Sequence, residues 1–273
     1  MRVRLATIGA FLALVVVAVA ASGCGATLDP VAQAATRTSD ASTFRFTMDM
    51  RLQMDGKTLP MTMTGAVDSA ANRLALTLDA GKAAALAGGS DALGTMTIVE
   101  DGLVMYMTGT TLVGRLPDGK TWVRVDLSKA ASALGIDLGS LTGGQSDPRT
   151  SLEQLKGAGN VVKVGPQKIG GVATTRYSVL VDLRKGLDEL DGSRRAAAQE
   201  VIDRLEAAGG RYVPADVWID GNGYLRRFRM AMSNYLGAGS SISLTMKLYG
   251  IGSPVSIAVP PASQVADLTS LVS

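Results

Sequence analysis

Phe44-Arg45-Phe46-Thr47-Met48-Asp49-Met50-Arg51-Leu52-Gln53 alternates apolar and polar side chains without a break. Successive side chains of an extended chain point to opposite faces. Phe44, Phe46, Met48, Met50 and Leu52 therefore share one face, and Arg45, Thr47, Asp49, Arg51 and Gln53 the other. That pattern predicts a strand buried on one side only. Asp55-Gly56 supplies a tight hairpin turn, and the return run sets Leu59, Met61 and Met63 against Thr58, Thr62 and Thr64.

The same period continues toward the C-terminus. Leu74, Leu76 and Leu78 form a third run, and Met96 and Ile98 belong to a fourth. Glu100-Asp101-Gly102 turns the chain into Leu103, Met105 and Met107, and Asp118-Gly119 leads into a sixth run, Thr121 to Leu127, with Trp122. Together these predict an antiparallel meander. Ser128 to Gly135 reads as a short helix and 136–146 as a Gly-rich loop. Asp147-Pro148 opens a helix to Lys156, with Asp147 as cap and Pro148 at the first helical position. Val161 to Lys168 and Val172 to Leu183 are strands joined at Gly170-Gly171. Leu187, Leu190, Val201, Ile202, Leu205 and Ala208 recur at helical spacing up to Gly209-Gly210. Val213 to Asp220, Tyr224 to Asn234 and the alternation of Ile242, Leu244, Met246 and Leu248 are strand-like, and Pro254 to Pro261 reads as an extended tail.

Toward the N-terminus the character changes. Arg2 and Arg4 precede an uncharged stretch from Leu5 to Ala21, then small residues, then Cys24, the only cysteine. A basic start, an apolar core and a small-residue cleavage site make a secretory signal. The division expected is a leader over 1–23, an N-terminal tether over 24–43 and one domain over 44–273. Within the tether, Asp29-Pro30 opens a short helix with Val31 and Ala34-Ala35 facing inward. An uncleaved membrane anchor with an inert Cys24 is the plainer alternative. Removing Arg2 and Arg4 from the 27 basic residues leaves 25 against 24 acidic ones. The mature chain is then nearly neutral, which gives nucleic-acid binding no support.

Composition excludes much chemistry. Of 273 residues none is histidine, so imidazole acid–base catalysis, Ser-His-Asp systems and His-ligated zinc are absent. One cysteine allows neither an intrachain disulfide nor a thiolate cluster. No cofactor or metal is expected and no enzymatic activity is assigned. The 47% hydrophobic and 19% charged fractions are those of a folded chain.

Beyond Met1 there are eleven methionines, all in strand or hairpin segments: 48, 50, 54, 61, 63, 96, 105, 107, 230, 232 and 246. Methionine is flexible and polarisable and adapts to varied apolar shapes. It can simply fill a core poor in aromatics. Alternatively, it can line a pocket for acyl chains, which offer no polar groups along their length. A sheet of roughly ten strands curls. Its apolar face needs covering by the two or three helices, which predicts a mainly β fold: a curved antiparallel half-barrel with helices across the concave face and an apolar cavity beneath.

The segment before Cys24 resembles the lipobox of bacterial lipoproteins, with Ala21 where leucine is usual. The stretches Thr121 to Asp126, Asp147-Pro148, Gly171 to Tyr177, Val181 to Leu183, Pro214 to Asp220, Gly223 to Arg227, Leu248 to Gly250 and Pro260-Pro261 extend the likeness over nearly the whole mature chain. The sequence resembles the LppX/LprG-type actinobacterial envelope lipoproteins, similar in fold to LolA and LolB. The resemblance implies a lipidated Cys24, anchorage at the outer face of the cell membrane, and a cavity for acylated lipids or lipoglycans carried within the envelope. It leaves room for an exporter or acceptor protein as partner. The cavity residues expected are Phe44, Phe46, Met48, Met61, Met63, Leu74, Leu76, Met96, Ile98, Met105 and Met107, with loops around 79–94 and 135–147 opening and closing.

Other readings compete. A non-catalytic envelope scaffold with a filled core, binding a protein and no lipid, accounts for the same pattern. Asp216 and Asp220 bracket Trp218 and could do acid–base work, but read more simply as a solvated strand end and a turn. Arg226, Arg227 and Arg229 could meet anionic headgroups, but read more simply as a solvated sheet face. The Gly-rich stretches 87–89 and 142–144 lack the Lys-Ser/Thr of a phosphate loop.

Overall fold

The computed structural model describes residues 30–54, 56–79, 94–110, 112, 116–129, 159–182, 184, 195, 199, 202–203, 206–207, 212–234 and 239–267. The leader, Cys24, the Gly-rich stretches, the helix read at 148–156 and nearly all of the two loops at 79–94 and 135–147 lie outside the described residues.

The expected fold class, mainly β with one large antiparallel sheet, is the observed one. Its strands are β1 (Thr43–Met54), β2 (Lys57–Asp68), β3 (Arg73–Asp79), β4 (Thr95–Asp101), β5 (Val104–Gly109), β6 (Trp122–Asp126), β7 (Gly159–Ile169), β8 (Val172–Asp182), β9 (Tyr212–Asp220), β10 (Leu225–Ser233), β11 (Ser241–Tyr249) and β12 (Val265–Asp267). Their hydrogen-bonded order is β12-β6-β5-β4-β3-β2-β1-β11-β10-β9-β8-β7. The chain divides into two compact units, Ala41–Gly143 with Met246–Ser273, and Met1–Asp40 with Gly144–Thr245, so that β11 contributes to both.

The first unit holds the meander. β1 and β2 pair over their full lengths, from Thr43↔Asp68 to Met54↔Lys57, which leaves a two-residue connection that includes Gly56. Gly56 has φ +72, the left-handed value such a turn needs. At the β4–β5 turn the reading needs correction. β4 runs through Asp101, which pairs with Val104, so Gly102-Leu103 is the turn and Leu103 is exposed, not part of the apolar face. The chain end holds a further strand that no alternation marks. After the extended run Pro254 to Pro261, a short turn at Ala262–Gln264 leads into β12, which pairs parallel with β6 through Val265↔Trp122. Three residues are too few to show a period. Side chains fix that strand instead: Lys120 donates to the Ser263 carbonyl (2.8 Å) and Arg124 pairs with Asp267 (2.9 Å).

The second unit holds α1 (Pro30–Ser39) and β7 to β10. Pro30 opens α1, where a missing N–H costs nothing. Val31, Ala34, Ala35 and Thr38 recur at helical spacing and are buried. The Thr38 hydroxyl donates to the Ala34 carbonyl (2.6 Å) and accepts the Leu225 N–H (2.9 Å), which pins the helix to the start of β10. β7 and β8 are joined at Gly170 (φ +56) and Gly171 (φ +84), and positive φ at both centres is the turn type whose twist matches the strands. Of the helix read at 187–208, the described residues Arg195, Gln199, Ile202, Asp203, Glu206 and Ala207 are helical, and Ile202 is fully buried.

Candidate functional site

The eleven expected cavity residues fall on one face of the β1–β5 meander. The strand registers show how. Phe46 lies opposite Gly65, Gly65 opposite Leu76, Leu76 opposite Ile98, Ile98 opposite Met107 and Met107 opposite Val123. A second row runs Phe44, Val67, Leu74, Glu100, Met105, Val125, and a third runs Met48, Met63, Leu78, Met96, Gly109. Met61 faces Met50 at the end of the sheet, beside Leu52 and Leu59. Directly opposed residues in a ladder share a face, so period-2 alternation in five separate segments becomes one continuous apolar surface.

Burial divides that surface. Phe44, Phe46, Leu74 and Leu76 are buried, whereas Met48, Met61, Met63, Met96, Ile98, Met105 and Met107 are half-buried. The Phe46 ring lies across Gly65. A methyl group there would stand 2.5 Å from the ring and 2.5 Å from the Ala75 carbonyl. Glycine is thus the residue that lets the ring lie flat against β2. In the second unit the apolar face is closed, since Val213, Val217, Phe228, Met230 and Ile242 are all buried. Half-exposed methionine is a property of the meander alone among these strands. Glu100 is the exception in chemistry, a carboxylate set between Leu74 and Met105.

The reverse face is mixed, with Val99 buried between Ala75 and Tyr106 and a polar row beside it. Thr47, Thr64, Thr77, Thr97 and Thr108 stand in one cross-strand row, with the Thr77 and Thr97 hydroxyls 3.2 Å apart. At the end of β6, Asp126 caps the following turn: it accepts the Ser128 hydroxyl (2.6 Å) and the Lys129 N–H (3.2 Å). The Ser128 bond, then the Lys129 bond, hold the Asp126 carboxyl below its ordinary value.

Two readings of charged residues are corrected by the second unit. Asp220 is not solvated. Its side chain is 2% exposed and accepts the Asn222 and Tyr224 N–H groups (2.9 Å each) and Arg226 Nε (2.6 Å). It closes the β9–β10 turn and neutralises Arg226. The arginines are not a uniformly solvated face either. A bulge between Leu225 and Arg227 sets Arg227 opposite Trp218, where its guanidinium lies over the indole at 4.9 Å. Arg176 covers the same ring at 5.5 Å while pairing with Asp216 at 2.8 Å, and the indole N–H donates to Gln167 (2.7 Å). Of the three arginines of β10, Arg229 alone is exposed. Asp216, Asp220 and Trp218 are therefore structural. Parity along the strands would have added Met50 and Leu78 to the candidate surface, whereas the stacking on Trp218 depends on a bulge that leaves no mark in the sequence.

No known family profile matches the chain. It is 30% identical over 161 residues to the uncharacterized 31.2 kDa protein in the rplA-rplJ intergenic region of Streptomyces griseus, a match covering 56% of this chain and 50% of that one. The chain spans about half the length of that curated relative. Among solved structures it is similar to the Mycobacterium tuberculosis lipoprotein LppX, at 14% identity over 84% of this chain and 100% of that one, with a TM-score of 0.44. It is likewise similar to LprF from Mycobacterium bovis, at 13% identity over 85% and 95%, with a TM-score of 0.46.

Proposed function

We propose that this protein is a membrane-anchored lipoprotein that holds acylated lipids or lipoglycans on the methionine face of its meander and carries them within the cell envelope. The observation that carries the reading is the register, which gathers Met48, Met61, Met63, Met96, Met105 and Met107 on one face and leaves each of them half-buried. A filled core would bury them, as the other unit buries Met230 and Met232. Half-buried thioethers are polarisable, unbranched and able to re-pack, which suits a ligand made of methylene groups.

In this account the process is noncatalytic. Acyl chains leave the bilayer for the methionine face because both surroundings are apolar, so the exchange is nearly balanced and can run in either direction. Cys24 is the proposed anchor. Each buried methylene of an acyl chain contributes about 0.8 kcal/mol, so two chains on that residue hold firmly where one binds reversibly. An exporter or acceptor protein is the proposed partner.

Met63 stands at the centre of the surface, opposite Met48 and Leu78. Met63→Glu places a carboxylate where an acyl chain would lie and is expected to abolish lipid loading, while Met63→Leu retains it. The check is organic extraction and mass analysis of the purified variants, with circular dichroism to establish folding. A folded Met63→Glu chain with undiminished lipid would overturn the assignment.

A further inference from the structure

Four arginines share the face of β8 to β10 that carries Trp218. The registers set Arg176 and Arg227 opposite Trp218, and Arg229 opposite Asp216. Arg226 reaches the same face through its bond to Asp220, two residues along β9 from Trp218. Lys163 and Lys168 lie opposite Tyr177 and Ala173, so they belong to the reverse face.

The carboxylates of this face leave two arginines over. Asp220 is 2% exposed and holds Arg226 at 2.6 Å. Asp216 accepts both Nε (3.0 Å) and Nη2 (2.8 Å) of Arg176. Asp182 lies opposite Tyr212, four residues along β9 from Asp216 and so about 13 Å away. It is buried and accepts the Arg184 N–H (3.1 Å). Among the described residues, Arg227 and Arg229 have neither an ion pair nor a hydrogen bond.

Arg227 is held ready without an acceptor. Its guanidinium lies over the Trp218 indole at 4.9 Å, and its Nε is buried with no hydrogen-bond partner. A buried N–H left without an acceptor is costly, so this one calls for an acceptor from outside the chain. Arg229 is exposed and stands two residues further along β10 on the same face, about 7 Å away.

The spacing selects the kind of anion. A carboxylate is satisfied by one guanidinium, since two parallel N–H···O bonds use both of its oxygens. A phosphate esterified once keeps three strong acceptor oxygens and carries about two negative charges near neutral pH. It can therefore be gripped from two sides, and the planar fork of arginine suits it.

We propose that Arg227 and Arg229 form a phosphate-binding site on the Trp218 face, with Trp218 as the platform that orients Arg227. The group bound is a phosphate, free or as a monoester. The site does not rest on the lipid reading, whose eleven residues all belong to the first unit.

The test reads Trp218 directly. Trp122 and Trp218 are the only tryptophans, so the full chain with Trp122→Phe has a single indole. It is titrated with inorganic phosphate at ionic strength held constant with chloride. The emission is expected to change along a saturable one-site curve, and phosphate should raise the melting temperature. Arg229→Gln is expected to weaken binding roughly tenfold and Arg227→Gln at least as much, whereas Lys163→Gln on the reverse face leaves it unchanged. Arg229 is exposed, so its variant carries the test even if Arg227→Gln fails to fold, and circular dichroism checks both. Glycerol 3-phosphate binding more tightly than inorganic phosphate assigns the site to an esterified phosphate, and equal or weaker binding assigns it to the free ion. A response that never saturates, acetate binding as well as phosphate, or an Arg229→Gln titration that matches the parent would overturn the proposal.

Discussion

Asp220 shows how much one buried carboxylate can organise. Two backbone N–H groups and the Arg226 guanidinium converge on it, and its side chain is 2% exposed. Replacing it with alanine removes the shared acceptor of all three donors, and we expect Asp220→Ala to cost about 2 kcal/mol in chemical denaturation, since hydrogen bonds to a charged group contribute about 1.5–3 kcal/mol. A change below about 0.5 kcal/mol would show that water reaches the turn. Asp126 predicts a pH dependence. Its folded value is depressed by the Ser128 hydroxyl and the Lys129 N–H. Its contribution is therefore present above the ordinary carboxyl range and is lost as pH falls through the depressed folded value. The melting temperature of the parent chain should accordingly drop more steeply in acid than that of Asp126→Asn. Parallel profiles would contradict this.

At the scale of elements, the legible part of the fold was the part with a period. Phe44 to Leu52 announced β1, the same alternation announced β2, β3 and β11, and Gly170-Gly171 announced a hairpin. The cavity candidates followed from parity, and the ladder registers do place all eleven on one face. What escaped had no local signature. β12 is three residues long and is held by Lys120 and Arg124 from elsewhere in the sequence. Leu103 has the parity of Met105 but sits in a turn whose position depends on the pairing of Asp101 with Val104. Arg227 reaches Trp218 through a bulge. The contact between Phe46 and Gly65 was equally invisible, because it depends on register and not on spacing. It predicts that Gly65→Val, which drives a branched side chain into the Phe46 ring, costs about 2–3 kcal/mol through overpacking. A Phe46→Ala background should recover part of that loss. A neutral Gly65→Val would mean that the ring does not lie across the glycine.

For the molecule as a whole, the methionine face of the meander is the proposed seat of the lipid. Cys24 is the proposed anchor that would keep the chain near the bilayer. None of this requires a histidine, and the chain has none. A scaffold lipoprotein would share the anchor and the sheet but would have no use for six half-buried methionines gathered on one face of β1 to β5. The measurement that separates these accounts most directly is native mass spectrometry of the protein purified from a related host, followed by denaturation and analysis of the organic extract. The account predicts a stoichiometric mass excess that disappears on denaturation and matches an extracted acyl lipid. A bare polypeptide mass, still bare after incubation with host lipids, would contradict it.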